Sequence, residues 1–311
     1  MRPLRFLLCI ALLAACRASL AQEPASLPAD SPPAEAAPAP APAAKPATPE
    51  QRLIDRLHAL NLAEARKWEM FTDQSKTAKA ELVERPVYLW TNPLPRFGFQ
   101  YGSVFVWLHE GRPVAVGSIF GHPVDPERRR FAHEFHALSP TVLSAVCRDE
   151  QANVWQPKAA LKLTPVPASP APEATPARRL IQFRSLAREF SGHTINYRKE
   201  RWQLRLLGQP LYRYDKPQAQ IIDGALMALV TDAGTDPEVL LLLEARKEGG
   251  WHYALLRFCN ASAWVNHKDK EVWTAIRDSE NVQLHNANHT YQVFQKQHIE
   301  LAEDEAGENQ P

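Results

Sequence analysis

Two apolar stripes at helical spacing mark the first predicted elements of the chain. The first stripe consists of Leu53, Leu57 and Leu60, and the second of Leu180, Phe183, Ala187 and Phe190. A Thr-Pro pair precedes each stripe, at 48–49 and 175–176, and such a pair favours the start of a helix. We therefore predict one helix from Thr48 to about Phe71, and a second from Thr175 to a residue before Gly192.

Near-continuous apolar runs follow each helix and predict strands. The first hairpin would pair Gly102–Leu108 with Val114–Phe120, and the second Gly224–Thr231 with Val239–Ala245. Runs without polar alternation are typical of strands that are covered on both faces. A helix followed by antiparallel strands, occurring twice, predicts the α+β class.

Short sequence matches relate the two halves of the chain. Four residues recur 124 positions later: Leu82, Pro86, Tyr88 and Pro93 return as Leu206, Pro210, Tyr212 and Pro217. We interpret them as an internal duplication. The predicted fold is α+β with two tandem repeats, each a helix followed by antiparallel strands, packed as one pseudo-symmetric body.

The first residues predict export, to the periplasm or the medium. A basic start precedes the apolar run 6–15, which is too short to span a bilayer, and the small residues Ser19 and Ala21 favour cleavage before Gln22. Leu13-Ala14-Ala15-Cys16 supports an alternative, in which Cys16 is lipidated and anchors the protein to a membrane. No later transmembrane segment is predicted.

The composition of the chain predicts where its disordered segments begin and end. Eighteen of the 26 residues at 22–47 are Pro or Ala, and such a segment buries too little apolar surface to fold. The predicted organisation is a signal peptide at 1–21, a Pro/Ala-rich disordered tether at 22–47, a first α+β repeat at 48–164, a Pro/Ala-rich link at 165–177, a second α+β repeat at 178–301 and an acidic disordered tail at 302–311.

The charge balance of the chain argues against polyanionic partners. Cleavage before Gln22 leaves 33 Lys and Arg against 35 Asp and Glu. This near-neutral balance gives no electrostatic footprint for nucleic acid or an anionic membrane. The sequence identifies no other partner. It also does not decide whether Cys147 and Cys259 form a disulfide.

Four segments carry a family resemblance. They are Trp90–Pro93, Gly111–Pro113, Glu134–Pro140 and Asp236–Glu244. Together they resemble an uncharacterised family of exported planctomycete proteins, over most of the chain after the tether. The resemblance implies export and one shared fold, and it implies no activity.

The chain lacks the common catalytic sequence motifs. It contains no Gly-x-Ser-x-Gly elbow, no phosphate-binding glycine loop and no Cys-x-x-Cys pair. Glu134 and His136 would share one face of a strand, and His252 would join them if the repeats pack about a pseudo-twofold axis. The alternative is a partly wet sheet face without chemistry. No metal or cofactor is predicted.

Two aromatic residues are the candidate binding residues. Trp90 and Tyr214 occupy matching positions, each three residues before a proline that ends a strand, and we expect them near the rim of the fold. The favoured function is an exported, non-catalytic binding or structural protein of the cell envelope. The alternative is a hydrolase that uses the Glu134/His136 face between the repeats.

Overall fold

The structure of the protein is a computed structural model that describes residues 48–94, 98–125, 128–157, 161–214, 220–277 and 287–300. The predicted signal peptide, the Cys16 lipidation site, the tether and the acidic tail lie outside these residues. The helices are α1 (Pro49–Ala65) and α2 (Pro176–Ala187), and the strands are β1 (Trp68–Phe71), β2 (Glu81–Leu82), β3 (Tyr88–Leu94), β4 (Gly98–His109), β5 (Arg112–Pro123), β6 (Arg128–Ala137), β7 (Ser144–Cys147), β8 (Glu150–Trp155), β9 (Thr164–Pro165), β10 (Phe190–Ile195), β11 (Arg201–Leu206), β12 (Tyr212–Tyr214), β13 (Ile221–Thr231), β14 (Pro237–Arg246), β15 (Gly250–Arg257), β16 (Ser262–His267), β17 (Lys270–Ala275) and β18 (Tyr291–Glu300).

The protein is mostly β, so the predicted α+β class is wrong. The described residues form two helices, of 17 and 12 residues, against 18 strands. Thr48 and Thr175 cap the two helices, as their positions before proline predict. The first helix ends six residues early, however, because Trp68–Phe71 pairs with β7 as a strand. Apolar sheet faces are covered mainly by other strands, which leaves little of the core to helices.

The strands of the described residues form three antiparallel sheets. A small sheet has the strand order β1-β7-β8, and a six-stranded sheet has the order β18-β6-β5-β4-β2 with β3 beside β4. The nine-stranded sheet has the order β17-β16-β10-β11-β13-β14-β15-β9 with β12 beside β13. In this largest sheet β15 lies four strands away from β10, yet the rings of Phe190 in β10 and Tyr253 in β15 have centres 5.0 Å apart. The sheet therefore curls into a half-barrel.

Both large sheets bury both of their faces. In β4, Phe105 and Trp107 enter a core shared with the small sheet, while Val104 and Val106 point the other way. The curled sheet encloses a second core beneath α2. A third core joins the two large sheets and includes residues of both, such as Val104 and Leu242. This double burial explains the near-continuous apolar runs.

The strand pairings occur in two series of the same order. In the six-stranded sheet β2 and β3 both pair with β4, which pairs with β5, which pairs with β6. In the nine-stranded sheet β11 and β12 both pair with β13, followed by β14 and β15. Trp90 lies opposite Gly102, as Tyr214 lies opposite Gly224. The duplication itself stays a prediction.

Two strands cross the predicted boundaries. β18 falls within the predicted second repeat, yet it pairs with β6 in the sheet of the first. β9 lies at the predicted start of the link, yet it pairs with β15. Cys147 and Cys259 are both buried, and the structure forms no disulfide bond between them. Within the described residues, no helix is long and apolar enough to cross a membrane.

Candidate functional site

Glu134 lies between the two large sheets, where it meets Tyr291. Its side chain leaves β6 on the face opposite to Phe135, which belongs to the core of the small sheet. The Tyr291 hydroxyl donates a hydrogen bond to Glu134 Oε1, because β18 places Tyr291 opposite His136 and Val293 opposite Glu134. The prediction that Glu134 and His136 share a strand face is consistent with this register.

Two further carboxyl groups approach Glu134 from the curled sheet. Burial raises the pKa of Glu134 to about 8, the Tyr291 hydrogen bond opposes the rise, and the charge of Glu238 adds to it. Burial also raises the pKa of Glu238 to about 7. Asp236 feels both of these acids, and burial raises its pKa well above the ordinary value. Asn92 Nδ2 donates to Asp236 Oδ2 over 3.4 Å.

Arg257 is a cation beside these acids, and its guanidinium donates hydrogen bonds to the backbone. It donates to the carbonyl oxygens of Cys259 at 2.8 Å, Ala261 at 3.0 Å and Ile276 at 3.3 Å. Its guanidinium carbon also lies 5.0 Å from the ring centre of Tyr291. Arg257 therefore holds a fixed positive charge next to the Glu134–Tyr291 pair.

An open cleft of about 780 Å³ borders this group. It lies where the half-barrel leaves a gap between β15 and β17, with the start of β18 as a further wall. The lining residues are His136, Leu161, Lys162, Thr164, Tyr253, Ala254, Leu255, Leu256, Arg257, Val272, Trp273, Ala275, Asn288, His289, Thr290 and Tyr291. The cleft thus combines aromatic and aliphatic walls with basic side chains.

His252 does not join Glu134 and His136, contrary to the prediction. When the two series of strands are matched by their pairings, His252 takes the position of Ala132, since Ala132 pairs with Phe120 and His252 pairs with Glu244. The sequence had matched His252 with Glu134, which lies two residues further along β6. His252 lies opposite Glu244 and Pro165. Five residues along β15 separate it from Arg257, which is about 17 Å of strand.

Trp90 and Tyr214 are core residues, so their expected position at the rim is wrong. Their exposed fractions are 1% and 4%. Trp90 packs on Gly102 and donates through Nε1 to Ser118 Oγ at 2.9 Å. The Tyr214 hydroxyl donates to Glu244 Oε1 at 2.8 Å. A ligand would reach these rings only if the two sheets separated.

Sequence reasoning missed Asp236, Glu238, Arg257 and Tyr291. The only available signal was the pair of acids in Asp236-Pro237-Glu238, which stands directly before an apolar run that must be buried. Nothing in the local sequence marks Tyr291 or Arg257. Their role depends on strand pairings between residues more than a hundred positions apart.

Neither a metal-binding cluster nor a similarity to known proteins identifies the site. Within the described ranges, no group of three or more His, Cys, Asp or Glu side chains is arranged to hold a metal ion. No family model matches the chain, and no curated protein or solved structure is significantly similar to it.

Proposed function

We propose that the protein is an exported, non-catalytic binding protein of the cell envelope, which holds its ligand in the cleft between β15, β17 and β18. One observation carries the proposal: an open cleft of about 780 Å³ has aromatic walls, while the polar groups behind it are bonded within the protein. Concave sites of this size that combine apolar walls with placed polar groups are typical of ligand-binding sites.

The bonds of the polar groups favour binding over turnover. The Glu134 carboxyl accepts the Tyr291 hydroxyl, His136 Nδ1 bonds to the Ala137 carbonyl at 2.8 Å, and Arg257 serves three carbonyl groups. A general acid or base needs to reach the substrate proton. Each of these groups therefore already has at least one atom engaged within the protein.

The hydrolase alternative rests on Glu134. A carboxyl with a pKa of about 8 retains its proton at neutral pH, as a general acid must. His136 lines the same cleft. The third predicted member, His252, lies at the other end of β15, so the alternative would use Glu134 and His136 without it.

A ligand panel tests the proposal. The probes are inorganic anions, soluble glycan fragments and short peptides, and the readout is the shift in melting temperature of the full chain with increasing probe. We expect a saturable shift for at least one probe class, lost in Trp273→Ala and retained in Trp202→Ala, a control tryptophan outside the cleft lining. A shift that both variants retain would overturn the assignment of the cleft. Turnover of a probe that Glu134→Gln abolishes would favour the hydrolase.

Export and family membership stay predictions. The measurement for export is the mass and N-terminal sequence of the native protein, with Gln22 as the expected first residue. A diacylglyceryl group on Cys16 would place the protein on a membrane. An intact Met1 would contradict export.

A further inference from the structure

The wall of the cleft that β15 forms is an open sheet edge. β15 pairs with β14 over its whole length, from Gly250 to Arg257. On its other side it pairs with β9 at only two positions, His252 and Tyr253. In the part of the chain that the structure describes, no strand pairs with this side of residues 254–257.

The alternation of backbone bonds shows which groups face the cleft. The Trp251 carbonyl accepts from Val166 N on the β9 side at 2.8 Å, and Phe258 N donates to the Glu238 carbonyl on the β14 side at 2.9 Å. Antiparallel strands alternate their bonding direction residue by residue. The backbone N–H and C=O groups of Leu255 and Arg257 therefore point into the cleft.

The six-stranded sheet shows how such an edge is filled. β6 occupies the position that β15 has in the curled sheet, since each is the strand after the central hairpin. His136 lies opposite Val116 as Leu256 lies opposite Leu240. On β6 the outer side at this level is paired with Tyr291 and the residues after it. The cleft lies where β15 lacks that strand.

We propose that the cleft binds an extended peptide segment of another protein as an added strand on β15, and that this segment carries an acidic residue. The proposal rests on the binding function proposed above and names its ligand class. Main-chain bonds to Leu255 and Arg257 would supply affinity, and pockets for alternate side chains would supply selectivity. Residues 254–257 offer about 13 Å of strand edge.

Charge decides the chemistry of the peptide. The lining includes Lys162 and Arg257, and no Asp or Glu occurs among the lining residues that the structure describes. Arg257 is held by carbonyl groups, whereas Lys162 is exposed. A carboxylate on the peptide would therefore meet Lys162, and an apolar side chain would meet Trp273 and Val272.

The Pro/Ala tether of the same chain is a poor occupant. Eight of the residues at 22–47 are proline, and proline has no backbone N–H to donate to a ladder. A peptide from another protein has no such restriction. A second copy of the chain and the chain's own segments are the competing occupants that the experiment must separate.

The probe is a fluorescein-labelled eight-residue peptide of alternating valine and threonine with a central glutamate, titrated with the full chain in a fluorescence anisotropy assay. We expect saturable binding. Replacing the central glutamate with lysine, or methylating alternate backbone nitrogens, should weaken it at least tenfold. Lys162→Glu should reverse the preference between the glutamate and lysine peptides.

A second variant tests the edge itself. Leu255→Pro removes an N–H that faces the cleft and leaves the β14 ladder in place, so binding should fall at least tenfold with cooperative unfolding retained. Binding that survives both this variant and backbone methylation would overturn strand addition. Absence of peptide binding while a glycan of the panel binds would overturn the peptide class and leave the binding function standing. Self-association abolished by Leu255→Pro would assign the edge to a second copy and overturn the proposal.

Discussion

At the scale of single residues, Glu134 shows how burial decides chemistry. A carboxylate enclosed by protein loses its hydration, so the group keeps its proton instead of its charge. The nearby charge of Glu238 strengthens this effect. The sequence indicated the strand face of Glu134 and His136, because alternation along a strand is a local property. It did not indicate their partners, because Glu238 and Tyr291 come from strands that local patterns leave unpaired.

The first prediction concerns pH and Glu134. Its pKa is about 8 in the folded protein against an ordinary 4.5, so folding stability falls as pH rises from 4.5 to 8, while the unfolded chain alone releases the proton. His136, with a pKa lowered to about 4 by burial, acts in the opposite direction between 4 and 6.5. Between pH 6.5 and 8 the buried carboxyl groups therefore change the folding stability while His136 contributes no further change.

The measurement is urea unfolding at pH 6.5, 7.2 and 8. We expect the free energy of unfolding of the native chain to fall across this range, and Glu134→Gln to flatten the slope. Glu81→Gln, at an exposed position, is the control and should keep the native slope. An unchanged slope in Glu134→Gln would contradict the protonated state of Glu134.

The second prediction concerns Gly102, which supports the Trp90 ring. A Cβ at this position would overlap that ring, so Gly102→Ala should destabilise the protein by about 1–3 kcal/mol. Gly208→Ala is the control, because nothing lies within 4 Å of its added Cβ. Thermal unfolding compares the two. Equal melting temperatures would contradict the buried position of Trp90.

At the scale of elements, apolar runs predicted the two central hairpins, and Thr-Pro pairs predicted both helix starts. The end of α1 was misplaced because Trp68–Phe71 continues a helical pattern and yet gains a partner strand in β7. The sequence matched His252 with Glu134, which is two residues away from the match that the strand pairings give. A shift of two residues keeps every side chain on the same face of the strand, so the hydrophobic pattern of the sequence does not reveal it.

The third prediction concerns the contact of α2 with the curled sheet. Asp223 in β13 is fully buried and accepts from Arg179 Nε of α2 at 2.7 Å and from Arg213 Nε of β12 at 3.0 Å. Asp223→Ala leaves the largely buried Arg179 without its carboxylate. We expect a loss of about 3–5 kcal/mol in urea unfolding.

Asp149→Ala is the matched control for Asp223. Asp149 pairs with Lys67 at 3.0 Å, but its side chain is 60% exposed, and exposed pairs contribute about 0–1 kcal/mol. Similar losses in the two variants would contradict a structural role of the buried ion pair.

At the scale of the whole molecule, the third core holds the two large sheets together. The double burial of the hairpin strands was readable from their apolar runs. The fold class was not, because the same runs are compatible with covering by helices or by other strands. The sequence also did not predict that β9 pairs with the nine-stranded sheet and β18 with the six-stranded sheet, since strand pairing depends on residues far apart in the chain.

The fourth prediction concerns the two halves in isolation. Fragments 48–164 and 175–311 would each expose one side of the third core, the first without β18 and the second without β9. We expect both to aggregate or to lack a cooperative transition, as measured by sedimentation and thermal unfolding. Soluble fragments that unfold at the midpoint of the intact chain would contradict the shared core.

Amide hydrogen exchange along β15 tests the binding account most directly. In the free chain, the amides of Ala254 and Leu256 should exchange slowly because they bond to β14, while those of Leu255 and Arg257 should exchange fast at the open edge. The glutamate peptide should slow Leu255 and Arg257 selectively. Slow exchange of Leu255 and Arg257 in the free chain, equal to that of Leu256, would show that the edge is already filled and would contradict the account.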